Sequence, residues 1–341
     1  MRHSTSVFTI AVMLAMASGC AVGETQQPVE RSDQALWLWQ PFFIMWSVDL
    51  VGRGLNGTSL NGEPLQDDMV VAVSLEDVDV GHGKAKDLTL SRTVFSKGKG
   101  KANKKGKPKK LKVDNSMIGA VFSANLQDGS DIRLRIEDMV LAGEDNDPFL
   151  KYSVSFETLE GWLPLCGTDD SGEPVLAIPL TGTWNYEKGT PGAGQWTDDS
   201  DQFTFACDGF VLAKCVAMGY KPWTEGQACD SEGDGTECFE TDLRLHHQAC
   251  TRALRADYCG DGESHTVENT MLNLYDNFYI RVDSEDWLTE AEWDADGARC
   301  VLTQRIDDLP LPACAQDMAT ADCGDESHFA NGTLLMTEVA P

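Results

Sequence analysis

From residue 69 onward the chain alternates apolar and polar side chains in short runs, the period of half-buried strands. Met69-Val-Val-Ala-Val-Ser-Leu75 is rich in β-branched residues. Gly119–Leu126 and Asp131–Glu137 alternate on either side of Gln127-Asp-Gly-Ser130, which has the turn chemistry of a hairpin. Lys151–Glu157 alternates in the same way. Together these runs predict a β-rich unit over 49–156. Upstream, Leu55, Leu60 and Leu65 head about two copies of a five-residue Leu-x-Gly-x-x unit, too few to form a solenoid.

Beyond residue 157 the pattern mixes periods. Phe203–Cys207 predicts a strand running into a short helix over Gly209–Met218, stopped at Gly219 with Pro222 just beyond. Leu243, His247, Cys250, Leu254 and Tyr258 recur at three- and four-residue steps, which predicts the longest helix over Thr241–Tyr258, with Gly260 at its end. Cys250 and Cys259 are expected on opposite faces of it, too far apart to bridge each other. Thr289-Glu-Ala-Glu292 has the form of a capping box, set within a helix that begins near Ser284. Asp296-Gly297 then turns the chain into a strand over Ala298–Arg305. The expected fold class is α+β, with a β-rich N-terminal domain over 49–156 and a disulfide-stapled α+β domain over 157–341.

Two segments break the alternation. Ala35–Val48 is apolar, with three tryptophans and Pro41, and reads either as a first strand buried in the front domain or as an interfacial anchor. The stretch 96–113 carries nine lysines (Lys97, Lys99, Lys101, Lys104, Lys105, Lys107, Lys109, Lys110 and Lys112) among glycine, asparagine and proline. It has no apolar face to bury and is expected to form a loop. Its plain reading is a solvated loop lying over the acidic body, and its functional reading is an electrostatic hook for polyanions. No aromatic side chain is interleaved with the lysines, which argues against base stacking.

The N-terminus and the cysteines say where the chain resides. Val7–Ala17 is an eleven-residue apolar run, too short to span a bilayer, and small residues follow it at Ala17-Ser18-Gly19. With Cys20 next, the segment resembles a bacterial lipobox, although Ala17 stands where that signal usually has leucine. The resemblance implies a signal peptide over 1–19, acylation of Cys20, and residues 20–48 as tether and apolar segment. Acyl chains contribute about 0.8 kcal/mol per buried methylene, enough to hold the protein in a membrane through the lipid. Ten further cysteines (Cys166, Cys207, Cys215, Cys229, Cys238, Cys250, Cys259, Cys300, Cys314 and Cys323) all follow residue 165. Their even number in an exported chain reads as five disulfides, each contributing about 2–4 kcal/mol. No Cys-x-x-Cys pair occurs and the histidines do not stand at ligand spacing, which argues against zinc.

A net charge of −28 argues against binding nucleic acid except through the lysine-rich loop. It suits an extracytoplasmic chain that meets divalent cations. Asp230, Glu232 and Asp234 alternate before a glycine, like the front half of a calcium loop, but the twelfth position is Thr241. Calcium is thus the sole cofactor the sequence suggests, and the plain alternative is a solvated loop closed by Cys229 and Cys238. A second cluster, His246 to Thr266, places polar groups near a helix end. A hydrolase reading takes Ser264 as nucleophile, His265 or His247 as base and Asp257 or Asp261 as orienter. Ser264 lacks the Gly-x-Ser-x-Gly setting of a nucleophile elbow. The competing reading is a capped helix end with a polar turn.

Ala256-Asp-Tyr-Cys259, followed by Gly260-Asp-Gly-Glu-Ser-His-Thr266, resembles the ADYC domain family of exported bacterial proteins. Trp162-Leu-Pro-Leu-Cys-Gly167, Phe203–Gly209, Gly219–Trp223, His247–Arg252, Glu290-Ala-Glu-Trp293 and Gly297-Ala-Arg-Cys300 extend the likeness across roughly 50–305. The family carries no assigned chemistry, so the resemblance implies location and fold more than activity. The reading is a lipid-anchored protein of the outer membrane or cell surface, or alternatively a periplasmic or secreted one, binding or structural, partnered by an envelope polysaccharide or protein. The alternatives are a hydrolase of envelope polymer and polyanion adhesion through the lysines.

Overall fold

The structure is a computed structural model that describes residues 59–61, 65, 69–81, 83–85, 87–97, 115–144, 147–229, 238–267, 270–318 and 322–341. The signal segment with Cys20, the apolar stretch 35–48, the lysines from Lys99 to Lys112 and the calcium candidates Asp230, Glu232 and Asp234 lie outside these residues. Lys97 is the last residue of a strand.

The first half builds a closed antiparallel barrel. Its strands begin with β1 (Val70–Ser74), a hairpin of β2 (Leu88–Ser91) and β3 (Val94–Lys97), β4 (Val121–Leu126), and the long pair β5 (Asp131–Glu144) and β6 (Asp147–Thr158). After the short β7 (Gly161–Pro164) come β8 (Ala177–Thr181), the small ribbon β9 (Thr183–Trp184) and β10 (Trp196–Thr197), and β11 (Gln202–Cys207). Six strands pair in the order β5-β4-β1-β11-β8-β6, and β5 pairs with β6 to close the ring. Alternation fixes the faces: Leu134 and Ile136 of β5 are buried, while Arg133, Arg135 and Glu137 between and beside them are not. Val73, Phe122, Leu134, Ile136, Tyr152, Val154, Phe203 and Phe205 belong to one apolar core.

The β2–β3 hairpin fills that core as a plug. The Phe95 ring lies 5.3 Å from Phe122, 5.5 Å from Tyr152 and 5.2 Å from Phe203, mostly edge-on. At the hairpin tip, fully buried Thr93 accepts the Tyr152 hydroxyl at its carbonyl (2.8 Å) and the Leu150 N–H at its side chain (2.7 Å).

The boundary expected at residue 156/157 falls within β6, and β7, β8 and β11 from beyond it share the barrel sheet with β1 and β4–β6. Both faces of β8 and β11 are covered. Phe203 and Phe205 look into the barrel core, whereas Ile178, Leu180 and Ala206 join the second core. There α1 (Val211–Ala217), the hairpin β12 (Glu225–Cys229) and β13 (Cys238–Asp242), and α2 (Arg244–Arg255) are followed by β14 (Leu272–Tyr275), β15 (Leu288–Asp294), β16 (Gly297–Val301), α3 (Ala313–Asp317) and β17 (Leu335–Val339). Four of these strands form a sheet in the order β14-β17-β15-β16, and α2 packs against it.

Disulfides staple the layers. Cys166–Cys207 ties the chain after β7 to β11, Cys215–Cys250 joins α1 to α2, Cys259–Cys314 holds α3, and Cys300–Cys323 links β16 to the loop before β17. Cys229 and Cys238 stand opposite each other in the β12–β13 register. A chain with these bridges belongs to an oxidising, extracytoplasmic compartment. No described helix is long and apolar enough to cross a membrane.

Three sequence expectations need correction. The long helix spans Arg244–Arg255 rather than 241–258, because Ala256 takes a left-handed conformation (φ 50°) and ends it. The capping-box segment at Thr289–Glu292 lies in strand β15, not helix: both faces are covered from Glu290 to Trp293, so Glu290 and Glu292 are buried and the pattern loses its period. The strand expected over 298–305 stops at Val301, and Arg305 turns inward as a buried cation.

Candidate functional site

The polar cluster at the end of α2 starts from a helix that is buried on nearly every side. His246 through Arg255 are all buried, and their polar side chains find partners inside the protein, except His246, whose ring nitrogens have none among the described residues. Gln248 accepts the Trp184 indole N–H (3.1 Å) and the Trp196 backbone N–H (3.2 Å), and donates to the Gly194 carbonyl (2.9 Å). His247 shares its Nε2 proton with the Leu212 carbonyl at 3.0 Å.

Each residue of Ala256–Cys259 then has a distinct structural role. Ala256 caps the helix in the left-handed region, where a small side chain is tolerated and its N–H reaches the Ala253 carbonyl at 3.1 Å. Asp257 is fully buried. Its Oδ1 accepts the N–H of Asp261 (3.0 Å), Gly262 approaches both of its oxygens, and its Oδ2 receives Arg252 Nη1 (2.5 Å), with Arg255 Nη1 at 3.6 Å. The Tyr258 ring stacks on Trp293 at 5.4 Å, and its hydroxyl donates to Glu290 Oε1 at 2.7 Å. Burial, reinforced by the Glu290 charge, pushes this phenol far above its usual range, so it does not ionise. Cys259 is bonded to Cys314. Beneath them Arg305 grips Glu290 through two hydrogen bonds (2.9 and 2.8 Å) and donates to the carbonyls of Ala253 and Leu254 at 2.7 and 3.1 Å. Arg305, paired with Glu290, thus caps carbonyls in the last turn of α2.

This constellation is the centre of a longer match. The ADYC domain profile covers residues 114–307, more than half of the chain. The protein belongs to the ADYC domain family. Neither the comparison with curated proteins nor that with solved structures finds a match.

Within the ADYC domain the hydrolase candidates do not converge. The Ser264 hydroxyl donates to the Arg255 carbonyl (2.9 Å), and the backbone N–H of His265 goes to the same carbonyl (3.0 Å). The His265 ring lies on the outer face of Tyr258 at 5.9 Å. His247 sits in the core with its ring edge-on to Trp184, 5.8 Å away. Burial pushes it and His246 down to about 4, too weak for bases at neutral pH. Asp257 faces guanidinium groups and backbone N–H groups instead of an imidazole. Of the Ser264, His265 and Asp257 expected as a triad, the first two are tied to the Arg255 carbonyl and Asp257 to guanidinium and backbone N–H groups.

Among the described residues, Glu292, Cys300 and Cys323 bring metal-binding atoms within 4.8 Å of one another. The two sulfurs are bonded to each other and so offer no thiolate. The Glu292 carboxylate accepts Gly324 N–H, Thr333 Oγ1 and His328 Nδ1, each at 2.7 Å, and that last contact raises the His328 pKa.

Arg252, Glu290, Trp293 and Arg305 are the residues that sequence reasoning did not assign to this site. Glu290 and Trp293 stood in a motif shared with the family, as did Arg252. Their pairing spans 15 residues for Glu290–Arg305 and 5 for Arg252–Asp257, and only the latter is within reach of a local pattern.

Proposed function

We propose that the chain is an exported lipoprotein of the cell envelope, held in the membrane by acyl groups on Cys20, with a binding or structural role at the cell surface. One observation carries the reading. The polar and thiol groups of the tetrapeptide are engaged in helix capping, ion pairing, ring stacking and a disulfide. A motif occupied in this way supports a frame that displays other surfaces. The disulfides support export, and the lipobox-like Ala17-Ser-Gly-Cys20 supports the anchor.

The anchor is tested by expressing the full chain in a bacterium that processes lipoproteins, supplied with an alkyne-bearing fatty acid. Label is expected on the wild type and absent from Cys20→Ala, with the wild type in the membrane fraction. An unlabelled wild type released as a soluble product would overturn the anchored reading. The hydrolase alternative predicts that Ser264→Ala abolishes turnover of envelope polymer while leaving the unfolding free energy measured in urea within about 1 kcal/mol of wild type.

A further inference from the structure

Three metal-binding side chains far apart in sequence meet at one edge of the four-stranded sheet. Glu292 of β15 and Cys300 of β16 are direct cross-strand partners, so their side chains share a face. Cys323 joins them from the loop before β17, and the two sulfurs and a Glu292 oxygen all lie within 4.8 Å of one another. All three residues are buried, and no other group of three such donors occurs among the described residues.

The disulfide is not alone in holding this cluster together. Glu292 takes the Gly324 N–H and His328 Nδ1 on its Oε1 and the Thr333 hydroxyl on its Oε2, and so fastens both ends of the loop that follows Cys323. Gly324, at φ 95°, lies so close to Thr289 that a Cβ there would come within 2.6 Å of its side chain. With the Cys300–Cys323 bond open, these contacts keep both thiols beside the carboxylate. Around a tetrahedral zinc ion, thiolate sulfur sits at about 2.3 Å and carboxylate oxygen at about 2.0–2.2 Å, which sets the donor atoms about 3.6–3.8 Å apart. Shifts of about 1–2 Å at each donor convert the bridged cluster to that geometry.

We propose that Cys300, Cys323 and Glu292 form a zinc site in the reduced chain, so that this position holds either a disulfide or a metal ion. Every newly made chain carries the two sulfurs as thiols, and a dithiol restores them to that state. The dithiol gives up two electrons and two protons, its own sulfurs join, and the Cys300–Cys323 bond opens. Zinc then displaces the two thiol protons to solvent and binds both thiolates and one Glu292 oxygen, leaving a fourth position for water. Thiolate donors select zinc over calcium or magnesium. Gly324, Thr333 and His328 become the outer partners that orient the carboxylate ligand. His328, whose side chain is 30 % exposed, marks the solvent side from which an ion enters. The 23 residues between the two cysteines hide the site from any Cys-x-x-Cys spacing rule.

The test reduces the full chain with a dithiol, removes the dithiol by gel filtration under argon, and adds zinc chloride or a chelator. Iodoacetamide then alkylates the free thiols, and mass spectrometry maps each cysteine. Zinc is expected to slow alkylation of Cys300 and Cys323 by about tenfold or more and to leave the other cysteines at their rate in chelator. Glu292→Gln removes the anionic ligand and is expected to abolish the protection. Should that variant misfold, Thr333→Val decides: it keeps all three ligands and loses one hydrogen bond to the carboxylate. The zinc concentration for half-protection is then expected to rise about 10–100-fold. Protection that is missing, that spreads over all the cysteines, or that is the same in Thr333→Val as in the wild type would overturn the proposal.

Discussion

Glu290→Gln tests the buried pair that underlies the helix end. The side chains of Glu290 and Arg305 are both 0 % exposed, and two hydrogen bonds join them. Glutamine keeps the volume but removes the charge, leaving a guanidinium in a dry site without its counter-ion. Breaking a buried pair in this way costs about 3–5 kcal/mol. The Tyr258 hydroxyl also loses a charged acceptor, and with it part of a hydrogen bond worth about 1.5–3 kcal/mol. A chain of this size moves its thermal midpoint by about 2–4 °C per kcal/mol, so the midpoint is expected to fall by about 10 °C. Glu290→Leu combined with Arg305→Met removes both charges at once and should recover a large part of the loss. Recovery stays incomplete, because the carbonyls of Ala253 and Leu254 lose their donor. Urea unfolding with disulfides intact, followed by tryptophan fluorescence, measures all the variants. A loss below about 1 kcal/mol for Glu290→Gln, or a double variant whose loss is the sum of the singles, would refute the argument.

Acid should weaken the fold through its helical histidines. Burial holds His246 and His247 down to about 4, whereas the unfolded chain binds these protons near 6.5. Their contribution is therefore complete above about pH 6.5 and lost as pH falls toward 4, by of order 3 kcal/mol for each histidine. His246→Phe sacrifices no side-chain hydrogen bond; it should flatten the decline of the urea midpoint between about pH 7.5 and 4.5, and an unchanged slope would exclude His246 as a cause. Gly260→Ala places a Cβ 1.7 Å from the Asp296 carbonyl oxygen at φ 63°, whereas Gly81, at φ 81°, faces open space. Secreted yield is expected to collapse for Gly260→Ala and to survive Gly81→Ala, which costs about 1 kcal/mol; similar yields would contradict the close contact.

What could be read from the sequence follows the range of the forces involved. The β4–β5 hairpin is legible because its alternation and its turn lie within a few residues. Gly129 has the positive φ the turn needs, and Asp128 accepts the Ser130 N–H at 2.7 Å. Closure of the barrel is not legible, since β1 pairs with β11 across about 130 residues and no local pattern names that partner. Thr289–Glu292 misleads for a related reason. Glu290 and Glu292 occupy a strand because Arg305, Tyr258, His328 and Thr333 meet them there, and a local reading sees only helix-forming glutamates. The histidines and acids near Tyr258 look like catalytic groups in sequence because burial and long-range pairing are invisible at that level.

The β2–β3 plug makes the barrel a natural place to carry added sequence. Phe95 and Thr93 seat the hairpin in the core before the chain departs after Lys97, and it returns at Asn115 next to buried Met117. On either side of residues 98–114 the chain is tied into the barrel core, by Phe95 and Thr93 before them and by Met117 after. Doubling such a connection costs only about 0.6 kcal/mol of closure entropy. An epitope, a reporter peptide or a small folded domain grafted between 97 and 115 should therefore ride on this barrel, with its export and its disulfides undisturbed.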